Sequence, residues 1–508
     1  MEESVHSKMF YTLILFLFIL FCIFCVYDSI KPRNFPPGPK WIPLLGCFLT
    51  FRRLKLKHKY VYLAFQQLSV IYGPILGLKL GNQKVVVIST HDLVKKVLLQ
   101  EEFNGRPDGF FFRVRSFGKK KGILFNDGQA WSACRRFTMR HLKSFGLGQS
   151  NMEKHLIVEA ECLVNYLRRA SDKGPVSMHM AFDVAVLNSL WCMFAGHRFD
   201  YENKKLLEVL ETVHDVFRLM DTMGGVVSQM PFLRFVIPEM SGYNELMRIL
   251  NKLWNFLNEE INTHEKQMTG GQPQNLIEAF LLEISKNNDD NSIFDRENLL
   301  VLCLDLFLAG SKTTTDTLET TFLFLSSHSE WIKILQMELD NVVGRSRSPT
   351  LEDYDSLPMM KSFLAEAQRF LVLAPFGLPH KTMKDVTLNG YSIPKNTIIL
   401  LDFHSVNNDK TYWEHPEEFR PQRFLDANGK FQQNNTSIPF SLGKRRCPGE
   451  TLARVSLFLF LAHVIHYFDI EISPEHGEPD PDGYDGFTIS PKPYYLKLTT
   501  RITNSTSD

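Results

Sequence analysis

Between Phe440 and Gly449 the chain reads Phe-Ser-Leu-Gly-Lys-Arg-Arg-Cys-Pro-Gly. One cysteine, Cys447, sits in a glycine-rich, strongly basic turn. An apolar run with Leu452, Ala453, Val455 and Leu457 follows at once and reads as a helix. Basic neighbours and a helix N-terminus both favour thiolate over thiol. A thiolate is an electron-donating ligand for haem iron, and that push favours O–O cleavage. Gly443 and Gly449 would let the backbone approach a flat macrocycle closely. The plain alternative, a buried cysteine after a turn, fits cysteines in general but not this ten-residue pattern.

Three other groups carry possible chemistry. Ala309-Gly310-Ser311-Lys312-Thr313-Thr314 lies within a long helical stretch. A mid-helix glycine costs about 1 kcal/mol relative to alanine, so Gly310 signals either close helix packing or a groove for a small ligand. Glu366 and Arg369 stand at i and i+3, the spacing of an ordinary helical ion pair. Trp131 and Arg135 share a helical face, as an indole packed on an arginine stem or as a pair of anion-binding groups.

The 440–449 segment resembles the haem-binding loop of the cytochrome P-450 family, F-x-x-G-x-R-x-C-x-G. It matches at Phe440, Gly443, Arg445, Cys447 and Gly449. The resemblance implies haem b (iron protoporphyrin IX) with Cys447 as the axial ligand and Phe440 shielding its sulfur. The 309–314 segment resembles the family's oxygen-site motif, A/G-G-x-D/E-T-T/S, and makes Thr313 the residue that supports proton delivery. It departs at Lys312, where an acid is usual. Lys312 could relay a proton only if burial lowers its pKa, or it could point to solvent. Asp305 or Asp316 could substitute, and Lys312→Glu is then expected to improve coupling. With Arg423 in Phe419-Arg-Pro-Gln-Arg-Phe424, Glu366 and Arg369 resemble the family's structural triad behind the haem loop, despite Gln422 where glutamate is frequent. Haem propionate contacts fall by the same resemblance on Arg106, Trp131, Arg135, His380 and Arg445. Segments 110–117, 306–313, 373–378 and 486–488 fall on the pocket wall.

The resemblance runs over essentially the whole chain. It implies a mainly α fold with small β-sheets and a microsomal monooxygenase of the endoplasmic reticulum membrane. Electrons would come from NADPH only indirectly, through a flavin reductase, with cytochrome b5 as a second donor. Arg136, Arg140, Lys143, Lys444 and Arg446 could steer such an acidic donor, or simply form a solvated face. Within the family the chain looks most similar to arthropod members of the microsomal branch, which implies a small apolar substrate: a sesquiterpenoid hormone, a steroid or a xenobiotic. A haem-thiolate isomerase or dehydratase, motivated by Lys312, and a non-catalytic haem or lipid binder are the competing readings.

The elements that must position these groups are legible too. The chain has 508 residues, 44% of them hydrophobic, enough for a large core. A formal charge of +1 offers no field for nucleic acid. Eight cysteines without framework spacing suit a reducing compartment, and Cys22-x-x-Cys25 lies in an apolar run. Met9 to Tyr27 is nineteen residues without charge, close to the thickness of a bilayer's hydrocarbon. A cleaved signal peptide would have a shorter apolar core and a small-residue site. The expected division is an anchor at 1–30, a proline-rich hinge at 31–45 and one catalytic domain at 46–508. Cations from Lys31 onward put the domain in the cytosol, where the sequons at Asn434, Asn435 and Asn504 meet no glycosylation. Strands are expected near 75–80, 85–88, 397–401 and 494–499, and a surface loop around a short helix at 267–291. Asp295 should cap a helix running to about Ser326 through the middle of the domain. The apolar 224–238 stretch reads as a lipid-dipping patch or a buried loop.

Overall fold

The computed structural model describes residues 2–219, 224–268, 271–286 and 292–501. Asn287–Asp290 in the expected loop, and the Asn504 sequon, lie outside the described residues. The short helix in that loop is present at Leu276–Lys286.

The central element is the helix Arg296–Ser327, 32 residues long, or about 48 Å. The Asp295 carboxylate accepts the backbone N–H of Asn298 at 2.6 Å and so caps it as expected. Nearly every turn is buried, because helices pack on it from several sides. Trp191 of the helix Asp183–Ala195 meets Phe307 edge-on at 5.6 Å, and Phe182 stacks on Phe322 at 5.2 Å. The helix after the cysteine, Glu450–Tyr467, is almost wholly buried between Ser150–Ser171 and Ser329–Val342.

The four expected strands are present, and shorter ones that were not expected join them. One sheet runs in the order Ile75–Leu80, Gln83–Ile88, Ile398–Leu401, His380–Lys381. Its first pair is antiparallel, with Ile75 opposite Ile88, and Val85 pairs in parallel with Ile398. This sheet carries His380, whose partner is Ile399, to the edge of the site. A second sheet joins Val176–Ser177, Tyr495–Thr500 and Phe468–Ile472. The fold is thus mainly α with small sheets.

The Glu366 triad forms as expected. Its carboxylate takes Arg369 through two bonds of 2.7 Å, Arg423 Nε at 3.1 Å and the Arg420 N–H at 2.8 Å. Arg369 is fully buried and also donates to the carbonyls of Asn407, Pro416 and Glu418. It thereby locks the helix Pro358–Phe370 to the irregular segment before the cysteine loop.

At the N-terminus the helix Glu2–Ser29 contains one stretch, Met9–Ser29, long and apolar enough to cross a membrane, and its side chains are exposed. The proline segment after it lies on the first sheet. Pro37 accepts the Gly77 N–H at 2.7 Å, and Gly38 approaches the Gly77 carbonyl so closely that a Cβ would not fit. Asp28, in the last turn of the apolar helix, forms an ion pair with buried Lys79 of the strand Ile75–Leu80 and accepts the Leu44 N–H at 2.7 Å.

Candidate active site

A cavity of about 430 Å³ opens between the central helix and the cysteine loop. Its walls are predominantly apolar. Phe111, Val114, Leu306, Ala309, Gly310, Leu373, Ala374 and Phe487 line it, so all four expected wall segments contribute. Thr313 lines it from the helix, and Phe440, Cys447 and Gly449 from the loop.

The loop is shaped by its backbone: the Cys447 N–H donates to the Phe440 carbonyl at 2.9 Å. Gly449 is close enough that a Cβ there would touch the Cys447 sulfur at 3.9 Å. One expectation is corrected. Gly443 does not line the cavity. It adopts φ +70°, and its missing Cβ makes room for the carbonyl of Leu98, so it serves loop packing rather than approach to a macrocycle. Burial pushes the Cys447 thiol above its ordinary value, against the downward pull of the Gly449 N–H, Arg135 and Arg446. Glu450 adds to the upward push and also pairs with Arg446 at 2.6 Å, while Lys444 pairs with Glu101. Cys447 is itself exposed and lines the cavity.

At one edge of the cavity the five expected anion-binding residues converge. Arg106 Nη1 donates to the carbonyls of Leu378 and Pro379 at 3.0 and 2.8 Å. Arg445 donates to those of Asn104 and Asn126, each at 2.9 Å. Its guanidinium lies 3.6 Å from the Trp131 ring centre, with Arg135 at 5.7 Å. Arg135 also donates to the Arg446 carbonyl at 2.6 Å. His380 Nδ1 meets the Phe103 carbonyl at 2.8 Å, which orients the ring.

This cluster fits a dianionic group. Arg106 Nε, Trp131 Nε1 and Arg445 Nη1 are buried and have no partner among the described residues. Burial, then repulsion from Arg445 and Arg135, pulls the Arg106 guanidinium well below its ordinary value. Burial draws Arg445 down to about 10, and burial with the neighbouring arginines keeps His380 neutral. The nearby acid, Asp127, is already held by the Arg106 N–H, Lys120 and Lys381. Unpaired donors and crowded cations are costly unless carboxylates meet them, and a haem brings two.

The central helix presents Thr313 to the cavity but not Lys312. Thr313 Oγ1 donates to the Ala309 carbonyl at 2.9 Å. Lys312 neither reaches solvent nor lines the cavity; it is 1% exposed and ion-paired with Asp316. Asp316 in turn accepts from Thr488 and Ser490 at 2.8 and 2.9 Å, which pins the start of the strand Ile489–Pro491 and the residue before it to the helix. Asp305 accepts from Arg115 and from the N–H groups of Ile123 and Leu124 at 2.6 and 3.0 Å. Neither aspartate is free to stand in for the usual acid.

The expectation for Lys312→Glu therefore reverses. A second carboxylate would face Asp316 beside buried Glu319, whose carboxyl burial, Asp183 and Asp316 already push up. We expect a loss of about 3–5 kcal/mol, as for removal of one partner from a buried pair, with no gain in coupling. Thermal melting of the holoprotein checks this; an unchanged midpoint would show the pair to be dispensable.

The Arg115–Asp305 pair was not read from the sequence. Its one signal was Arg113 and Arg115 inside the Phe-rich 110–117 run.

Comparison with known proteins agrees with this geometry. A family description for cytochrome P450 matches residues 36–498. Farnesoate epoxidase of Bombyx mori is 38% identical over 469 residues, covering 92% of this chain and 94% of that protein. Probable cytochrome P450 305a1 of Drosophila melanogaster is 35% identical over 502 residues, covering 96% and 99%. Cytochrome P450 2B19 of Mus musculus is 32% identical over 473 residues, covering 92% and 94%. The chain belongs to the cytochrome P450 family. Its members bind haem b through a cysteine thiolate, and NADPH reaches them through a reductase. When bound, the haem supplies the activation of O₂; the protein supplies binding, orientation and protons.

Proposed function

We propose that this chain is a reductase-dependent monooxygenase that inserts one atom of O₂ into a small apolar molecule of sesquiterpenoid or steroid class, by hydroxylation or epoxidation. The observation that carries this reading is that Cys447 and Thr313 open onto one apolar cavity, at whose edge unpaired cationic donors await carboxylates. In this reading Cys447 is the axial ligand. Arg106, Trp131, Arg135, His380 and Arg445 hold the propionates, and Phe440 and Gly449 shape the sulfur's surroundings. The Thr313 hydroxyl holds the water through which protons reach the reacting oxygen.

Residues 1–30 anchor the domain 46–508 to the endoplasmic reticulum membrane through the segment 31–45, with the domain in the cytosol. Phe232, Phe235, Val236 and Met240 are exposed and would rest in lipid, whereas Val227 is buried, so the 224–238 stretch is half patch and half core. Arg136, Arg140 and Lys143 are exposed on the helix Gly128–Ser144 and favour docking of an acidic reductase or cytochrome b5.

The test is oxidation of sesquiterpenoids and steroids by purified holoprotein with NADPH and reductase. Product formed only with reductase supports the reading. Rearrangement of a hydroperoxide without reductase would identify an isomerase or dehydratase, a reading that loses its motive once Lys312 is turned away from the cavity. Haem retention without NADPH use would identify a binder. Thr313→Ala is expected to lower product per NADPH roughly tenfold and raise peroxide, because a positioned proton donor is lost and water replaces it only in part. Equal coupling in the variant would remove Thr313 from the proton route.

A further inference from the structure

The cavity has a second polar point, remote in sequence from the cysteine loop, formed where Arg115 meets Asp305. Both residues line the cavity, and their side chains are 8% and 0% exposed. The Asp305 carboxylate is fully engaged: Oδ1 by Arg115 Nη2, Oδ2 by the N–H groups of Ile123 and Leu124. Arg115 is not. Its Nη1 is buried and has no partner among the described residues. Away from the Arg106–Trp131–Arg445 edge, neighbouring hydroxyls of the wall have their protons placed. Thr313 donates to Ala309, Thr317 to Thr313 and Thr488 to Asp316. A buried guanidinium N–H without an acceptor is costly, and here it borders the space a substrate would fill.

We propose that Arg115 is a specificity-determining residue, and that its unpaired N–H receives a neutral oxygen acceptor, an ester or ketone carbonyl, at one end of an otherwise apolar substrate. This rests on the monooxygenase reading above and names the substrate class for it. The charge balance selects a neutral acceptor over a carboxylate. Asp305 already neutralises Arg115, so a second carboxylate would enter a low-dielectric wall with no net counter-charge, and its desolvation would go uncompensated. A carbonyl needs only the one free donor.

The test is equilibrium binding, without NADPH, of three ligands sharing one carbon skeleton to the full-length holoenzyme: methyl farnesoate, farnesoic acid and farnesene. Binding is read from the shift of the haem absorption band and, for ligands giving no shift, by displacement. The ester is expected to bind about tenfold more tightly than the hydrocarbon, and more tightly than the acid. In Arg115→Met the ester's advantage should fall to about twofold or less, with hydrocarbon affinity nearly unchanged. Arg115→Lys, which keeps a cation for Asp305, should lose the same advantage and covers the case in which Arg115→Met yields no holoenzyme. Equal affinity of ester and hydrocarbon in the unaltered enzyme, or an ester preference that survives both substitutions, would overturn the assignment of Arg115. Preference for the acid would overturn the neutral-acceptor assignment. These ratios are read without turnover, so they stand apart from any failure of the monooxygenase assay.

Discussion

Replacing Cys447 by alanine is expected to abolish haem retention, or to leave a haem whose reduced carbonyl complex lacks the red-shifted band that thiolate ligation produces. The substitution is informative because the loop does not depend on the side chain. The hydrogen bond that closes it runs from the residue 447 N–H to the Phe440 carbonyl, and alanine keeps it. The buried apolar helix Glu450–Tyr467 fixes the loop's other end. Loss of the band would therefore report loss of the sulfur, not collapse of its surroundings. Melting of the variant, measured beside its haem content and carbonyl spectrum, separates the two. Survival of the red-shifted band in Cys447→Ala would mean that another atom binds the iron.

The second large effect is expected from Glu366→Gln. This carboxylate receives four hydrogen bonds, two from Arg369, one from Arg423 and one from the Arg420 N–H, and it neutralises a fully buried guanidinium. Glutamine keeps the shape but removes the charge, leaving Arg369 and Arg423 without a counter-ion. Breaking a buried pair in this way costs about 3–5 kcal/mol, against a total stability of roughly 5–15 kcal/mol for a folded protein. The consequence reaches the site because Ala367 and Gln368 of the same helix line the cavity, and Arg369 holds the Asn407 carbonyl beside it. We expect little holoprotein to accumulate, with a sharply lower melting midpoint in what does. Wild-type melting and haem content in Glu366→Gln would show that the triad is not what holds this region.

Much of this was legible in the chain because the signals were local or dense. Asp295 followed by an apolar run announced the central helix, and β-branched runs announced the strands. The cysteine loop combined five specified positions in ten residues. What escaped depended on partners far away in sequence. Lys312, Asp316 and Glu319 stand at i, i+4 and i+7, so they share a helical stripe apart from Thr313. That periodicity could have turned Lys312 away from the cavity, but Thr488 and Ser490 complete its environment from a segment more than 170 residues on. Lys444 and Arg446 read as free charges in the cysteine turn, whereas Glu101 and Glu450 pair with them. Gly443 faced a carbonyl, that of Leu98, which only the fold brings near. Local chemistry was readable; the spending of charge was not.

The contact between Asp28 and Lys79 ties the end of the apolar rod to the same sheet that delivers His380. The Asp28 carboxylate also takes the Leu44 N–H, so the segment between helix and sheet is bounded by two contacts to one side chain. The orientations of the apolar helix and of the strand beside it are thereby set by one shared side chain, so loss of Asp28 is felt on both.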